Sequence, residues 1–377
     1  MTVIDSDVVI VGGGIAGCAT SLYLAKRGVD VTLCEKGLAG AMASGVNFGG
    51  VRQQGRHLAE LPLARRSRGL WPRLDEIIGD ACEFTASGHL KIARDSADMT
   101  ELAAYASAAA DHGLDLQLLE RAELRERFPW LSPSLAGGSL CVEDGQANPR
   151  LVGPAFARAA RAAGAVIRER CEIIEAGHDG GRFILTAGDG TTIRAAQMLN
   201  CAGAWGAALA AQFGETVPLT AMAPQMVVSE PTAYFIEPAL GVCNGNLYLR
   251  QTPRGNVIFG GGYGIADTQA SRATVLPENT HAASATAIGL IPRLAGLPII
   301  RVWTGIEGYI SDDIPVIGPS RTRPGLFHAF GFSGHGFQLG PGMGEILGEL
   351  LTTGKSETPI EAFHIGRFAE SATTPSP

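Results

Sequence analysis

The stretch Asp7–Lys36, DVVIVGGGIAGCATSLYLAKRGVDVTLCEK, decides the fold. The apolar run Val8–Val11 reads as a strand, followed by an Ala/Leu-rich helix to about Arg27 and a second strand over Val29–Leu33. Between the first strand and the helix stand Gly12, Gly14 and Gly17, in G-x-G-x-x-G spacing. Gly12 permits the tight turn, Gly14 lets backbone approach a pyrophosphate, and Gly17 lets helix pack close on strand. The phosphates then meet the positive end of the helix at Ile15 and Ala16. Glu35 follows Gly12 by 23 residues, where a carboxylate accepts from ribose hydroxyls, with Lys36 beside it. A glycine motif alone is a weak signal. Strand, helix and acid in this order specify a dinucleotide site.

The chain has 377 residues, enough for two domains or one large interleaved fold, and 46% hydrophobic residues can supply a sizeable core. A net charge of −7 without any Lys/Arg run argues against a nucleic-acid partner, which wants a basic face. No apolar run approaches the length of a membrane span. MTVIDSD leads straight into the first strand without a basic and apolar leader, so a cytoplasmic protein is expected. The seven cysteines are odd in number and lack metal spacing, so no metal is expected and buried free thiols in a reducing compartment are.

Strand-like runs recur at Ala165–Arg168, Gln197–Cys201 and Leu326–Phe330, so the nucleotide unit is discontinuous. Between them lie strands at Ser87–Arg94, Leu114–Leu119 and Ser139–Val142, and a helix over Ala97–His112. A hairpin spans Leu247–Gly262 around Pro253–Asn256, and a helix over Ala282–Ile291 closes at Pro292. The simplest arrangement gives residues 1–86, 145–217 and 302–377 to the nucleotide domain. A mostly antiparallel substrate domain takes 87–144 and 218–301. The tail Ser371–Pro377 reads as disordered.

Several further motifs resemble the D-amino-acid oxidase superfamily of flavoproteins, in particular its glycine oxidase and sarcosine oxidase β-subunit branch. They are ASGVNFGGVR (Ala43–Arg52), DGQANPRLVGPAF (Asp144–Phe156), LNCAGAW (Leu199–Trp205), WTGIEGYISDDIPVIGPS (Trp303–Ser320) and GLFHAFGFSGHGFQLGPGMGEIL (Gly325–Leu347). The resemblance covers nearly the whole chain. It implies an α/β fold in which an FAD-binding Rossmann-like domain of the glutathione-reductase type interleaves with an antiparallel-sheet substrate domain. It also implies FAD contacts at Ser44, Asn47, Gly49, Gly50, Cys171, Ala202, Gly203, Trp205, Gly334, His335, Gly336, Phe337 and Gln338. A strand at His328–Phe330, a glycine-rich turn over Ser333–Gly340 and a helix from about Pro341 to Leu351 fit that reading. The helix start aims N–H groups at the flavin edge where negative charge develops on reduction. Covalent relatives attach the flavin through a histidine where Asn47 stands here, or through a late cysteine, and none follows Cys243. Noncovalent FAD is therefore expected.

The resemblance implies transfer of the α-hydrogen of an amine or amino acid, as hydride, to flavin N5. Orienting groups are then needed more than a base. Tyr248 and Arg250 share one face of the first hairpin arm, and Arg250 reads equally as a bidentate carboxylate clamp or as a surface pair. Tyr263 reads as a site wall, Arg52 as a side chain reaching the flavin face, and His335 as a tuning group or helix cap. Glu307 stands where related chains carry a carboxylate-binding arginine. Either Arg250 or Arg52 takes over that task, or Glu307 grips a cationic end of the substrate, or it is a structural acceptor. Of the four lysines, Lys26 and Lys36 belong to the fingerprint, Lys355 to the tail and Lys91 to a substrate-domain strand. That leans toward a dehydrogenase passing electrons to a quinone or protein rather than to O2. The leading expectation is oxidation of the C–N bond of a small amino acid or N-alkyl amino acid. Alternatives are a 2-hydroxy-acid dehydrogenase and a flavin subunit of a heteromeric complex, with homo-oligomers also open.

Overall fold

A computed structural model describes residues 2–368, so the tail Ser371–Pro377 lies outside the described residues. The first strand, Val3–Val11, is buried over its last four residues and carries the chain into Gly12. It pairs in parallel with Val31–Cys34 on one side and with Thr192–Asn200 on the other. Val166–Arg168 and Leu326–Phe330 extend the parallel array at its two ends. Val316–Pro319 then adds antiparallel to Leu326–Phe330, and Ile173–Asp179 with Arg182–Ala187 forms an antiparallel flank on Thr192–Asn200. Val8–Val11, Val31–Cys34 and Leu326–Phe330 are buried on both faces and so are mostly apolar without alternation.

The first helix, Ile15–Ala25, has no side-chain N-cap; Gly14 occupies that position with extended backbone. It packs against the last long helix, Gly336–Thr353, through residues four apart on each side. A Cβ on Gly340, Gly344 or Gly348 would come within 2.1, 2.8 and 2.7 Å of Ile15, Ala19 and Tyr23 respectively. That glycine face explains a departure from the sequence reading. The helix begins at Gly336, not Pro341, and runs straight through the proline. Proline removes one helical N–H, but the close seam against the first helix outweighs that loss.

The second sheet has ten strands and is antiparallel except where Ala239–Val242 runs parallel to His89–Ala93. His89–Ala93 also pairs with Gly137–Cys141, which pairs with Gln117–Glu120. The hairpin arms are Tyr248–Gln251 and Asn256–Asp267, joined by a turn in which Gly255 takes φ +93°. The second arm outruns the first and pairs with Leu219–Pro231. Ile299–Thr304 and Glu307–Ile310 both pair with Leu219–Pro231. Residues 302–310, which the sequence placed in the nucleotide unit, therefore hydrogen-bond into the second sheet. Their register is set by a long partner strand that sequence periodicity does not reveal. A separate short ladder, Gly50–Val51 with Gly145–Gln146, lies beside the site. All seven cysteines are buried free thiols. Among the described residues, no helix is long and apolar enough to cross a membrane.

Candidate active site

One cavity of about 870 Å³ runs from Glu35 and Lys36, past Gly12–Ala16, to the turn Gly334–Phe337 and on to Tyr248 and Tyr263. At its first end, Gly12 adopts φ +110°, and a Cβ there would meet the Cys201 carbonyl oxygen at 2.2 Å. A Cβ on Gly17 would meet the Gly12 carbonyl oxygen at 2.1 Å, so both glycines are required by close approach. The Glu35 carboxylate accepts from the Gly13 N–H at 2.7 Å and from the Gly37 N–H at 2.7 Å, which fixes it at the cavity wall. Ser44 Oγ accepts from the Ile15 N–H at 3.0 Å, at the start of the helix.

Cys171, Ala202, Gly203 and Trp205 line the same end. Lys36 lies over the Trp205 ring, with Nζ 3.0 Å from its centroid, and donates to Ser271 Oγ at 2.8 Å. Trp205 Nε1 donates to the Thr268 carbonyl at 3.1 Å, so a turn of the second sheet is docked on this end. Gly49 and Gly50 line the middle of the cavity. Asn47 also faces it, yet its side chain is spent locally. Its amide donates to the Ala43 and Ser44 carbonyls, and its oxygen accepts from the Gly49 N–H at 2.8 Å.

At the far end, Gly334, Gly336 and Phe337 line the cavity, but Gln338 does not. Gln338 is buried behind the wall, where its amide donates to the Ala64 carbonyl at 2.8 Å and its own carbonyl accepts from Ser67 and Trp71. One residue further along the helix turns a side chain by about 100°, out of the cavity. His335 does line it, with Nδ1 2.9 Å from the fully buried Glu60. Burial, aided by the neighbouring Arg56 charge, pushes the His335 imidazole down to about 4. It is therefore neutral at ordinary pH and donates through Nδ1.

Arg250 is the clearest correction. It does not line the cavity, and its guanidinium donates to the Phe48 carbonyl at 2.6 Å and to Gln146 Oε1 at 3.1 Å. A Cβ on Gly49 would lie 2.9 Å from its Nη2. Arg250 thus fastens the Phe48–Gly50 loop to the Gly145–Gln146 ladder and is no substrate clamp. Tyr248, on the same strand face, lines the cavity with its ring, which packs on Phe48 at 5.0 Å between centroids. Its hydroxyl is committed to the Gln225 carbonyl at 2.9 Å.

The cavity also gathers residues that the sequence reading passed over. Arg52, which it did single out, is joined by Arg56 and Lys91. A Cβ on Gly55 would lie 3.1 Å from Arg52 Nη1 and 3.4 Å from Lys91 Nζ, so two cations converge on one spot. Arg56 is 4% exposed, and its Nη1 is buried without a hydrogen-bond partner. Burial, then the Arg52 charge, lowers the Lys91 ammonium. The nearest buried acids are otherwise engaged: Asp144 accepts from Gln53 and Gln54, and Glu60 holds His335. His89 is buried in the cavity wall and bonded to Gln54 at 2.9 Å. The cue was available in the four-residue spacing of Arg52 and Arg56 and in the alternation that puts His89 and Lys91 on one strand face. Lys91 stands in the cavity wall, so the placing of the lysines does not disfavour O2 as the acceptor.

The opposite character appears at Glu307, which lines the cavity with Tyr309 two residues on. Burial pushes the Glu307 carboxyl up to about 7. A Cβ on Gly334 would lie 3.2 Å from the Tyr309 hydroxyl and 3.9 Å from Glu307 Oε2. Tyr263, 41% exposed, meets Tyr309 edge-on at 5.8 Å.

The elongated shape fits a dinucleotide: a ribose-type acid at one end, a side-chain-free helix start in the middle and a second helix start at the other end. Over residues 7–350 the chain matches the family described as FAD dependent oxidoreductase. It is 29% identical over 373 residues to sarcosine oxidase subunit beta of Rhizobium meliloti (strain 1021), covering 96% of this chain and 88% of that one. The crystal structure of glycine oxidase from Geobacillus kaustophilus superposes with a TM-score of 0.90 at 26% identity, covering 97% of this chain and 99% of that one. L-proline dehydrogenase from P. horikoshii superposes with a TM-score of 0.91 at 30% identity, covering 98% and 99%. With the cofactor elements built as the family requires, the chain belongs to the FAD-dependent oxidoreductases of the DAO family and is an enzyme.

Proposed function

We propose that the enzyme oxidises the C–N bond of a small amino acid or N-alkyl amino acid, giving an imine that water hydrolyses. Bound FAD, held without a covalent link, supplies the two-electron acceptor that takes the substrate's α-hydrogen. Glu35, Lys36, Gly12–Ala16, Ser44, Ala202–Trp205 and Gly334–Phe337 would hold it. The observation that carries the substrate reading is the group Arg52, Arg56 and Lys91, which lines the same cavity with no ion pair among the described residues. Of the three only Arg56 is fully buried, but cations partly withdrawn from water without counter-ions are costly unless a ligand completes them. A substrate carboxylate does so, with Arg52 and Lys91 as its donors and Arg56 supporting both from behind. Tyr248 and the neutral His335 wall the space and hold the substrate in one orientation.

The 2-hydroxy-acid alternative needs a base for the hydroxyl. The relatives' names weigh for the amine, since one is a sarcosine oxidase subunit, one a glycine oxidase and one an L-proline dehydrogenase. The test is anaerobic bleaching of the flavin absorbance across amino acids, N-methyl amino acids, plain amines and 2-hydroxy acids. Bleaching by amino acids is expected, with Lys91→Ala and Arg52→Ala each raising the half-saturating concentration about tenfold or more for carboxylate-bearing compounds. Bleaching by 2-hydroxy acids alone would overturn the reading. The R. meliloti relative is a subunit, and a yellow chain bleached only after a partner is added would identify the heteromeric form.

A further inference from the structure

The Glu307 carboxylate is half-buried in the cavity wall, and among the described residues no N–H or O–H donates a hydrogen bond to it. Its strand, Glu307–Ile310, is held in register by Leu219–Met222, which fixes the backbone from which the side chain meets the cavity. The walls around it are the rings of Tyr248, Tyr263 and Tyr309, all lining the same cavity. The Tyr248 hydroxyl is committed to a backbone carbonyl and cannot serve Glu307. A half-buried acid without a hydrogen-bond donor adds nothing to packing, so packing gives no reason for a carboxylate at this position.

A carboxylate ringed by aromatic faces is the chemistry that recognises an alkylated ammonium. The rings attract the cation by their quadrupoles and cover its methyl groups, while the acid supplies the opposite charge. We infer that Glu307, with Tyr263 and Tyr309, binds the substrate's ammonium group, and so selects zwitterions over carboxylates of the same shape. This deepens the amino-acid reading above and rests on it. The cavity then carries both signs on separate walls: cations at Arg52, Arg56 and Lys91 for the carboxylate, an acid at Glu307 for the nitrogen. Burial holds the empty Glu307 near the neutral range, and an arriving cation draws it to the ionised form. Glu307 here determines specificity; no bond-breaking step is assigned to it.

Sarcosine and butanoate form a matched pair, since a methylene of butanoate replaces the charged nitrogen. Their dissociation constants are read from the perturbation of the holoenzyme's flavin spectrum in rapid mixing without oxygen, before any bleaching. The wild type is expected to bind sarcosine more tightly than butanoate. Glu307→Gln should weaken sarcosine about tenfold or more while leaving butanoate unchanged or tighter. Glu307→Asp, which keeps the charge, should retain the preference for sarcosine. Equal affinities in the wild type, no perturbation by either ligand, or equal loss of both in Glu307→Gln would each overturn the inference. If Glu307→Gln fails to hold FAD, the wild-type ratio and Glu307→Asp still decide it. None of these titrations needs turnover. A flavin that no amino acid bleaches sinks the amine-oxidation reading, and the ratio of dissociation constants still judges Glu307.

Discussion

Arg250 shows how one residue type in a fitting sequence position can serve a different purpose. Strand alternation places it correctly on the face shared with Tyr248, but the sequence does not say that Phe48 and Gln146 lie beneath it. Those partners are about 200 and 100 residues away along the chain, beyond what local pattern can read. Arg250→Ala leaves the Phe48 carbonyl and Gln146 Oε1 without their donor, at a cost of about 2–4 kcal/mol. The expected result is a lower melting temperature and weaker FAD retention. The ratio of half-saturating concentrations for carboxylate-bearing and plain amines should not change, whereas Lys91→Ala changes that ratio at little cost in stability. Flavin fluorescence during thermal melting reads the first effect and bleaching titrations the second. Lys91 was hidden for a related reason: alternation puts it on one strand face with His89, but does not say which cavity that face meets.

At the scale of elements, the fingerprint strand and helix were legible because their glycines and apolar runs act over a few residues. The last helix was misread at its start because Pro341 looks like a boundary when only neighbours in sequence are weighed. What overrides it is the seam of Gly340, Gly344 and Gly348 against the first helix, a tertiary fact. Gly344→Ala drives a Cβ to within 2.8 Å of the Ala19 backbone. It should cost about 1–3 kcal/mol, because backbone on both sides must shift. Gly289→Ala makes the same chemical change in the helix Pro277–Leu290, where nothing lies within 4 Å. There the gain is about 0.5–1 kcal/mol, from a stiffer unfolded chain and better helix propensity. Denaturant midpoints of the two variants should move in opposite directions from the wild type.

Across the whole molecule, buried acids pull stability in two directions with pH. Burial pushes Glu215 up, but His328 at 2.8 Å, Ser320 and the Arg321 N–H outweigh it and hold its carboxyl below the usual value of 4.5. Burial likewise raises Glu60, and the His335 hydrogen bond with the nearby arginines outweighs it. For both, the folded state gives up its proton first, so their stabilisation is present above about 4.5 and is lost as pH falls through the folded values. Glu307 has the opposite sign. Its carboxyl rises from 4.5 to about 7, so it lowers stability as pH increases across that window. Calorimetry on the FAD-loaded enzyme without substrate should show Glu307→Gln more stable than the wild type at pH 8, on the order of 1–3 kcal/mol. The difference should close towards pH 4.5. Glu215→Gln should instead flatten the loss of melting temperature on the acid side.

The seam between the first and last helices also bears on how the protein is made. The ribosome releases Ile15–Ala25 with its packing surface complete, while Gly336–Thr353, the helix that covers it, is still untranslated. At elongation rates of about 5–20 residues per second the gap of about 320 residues corresponds to roughly 15–60 s. For that time the nascent fingerprint segment presents a bare apolar ridge, so a ribosome stalled or terminated before residue 336 yields a chain that holds no flavin and adheres to its neighbours.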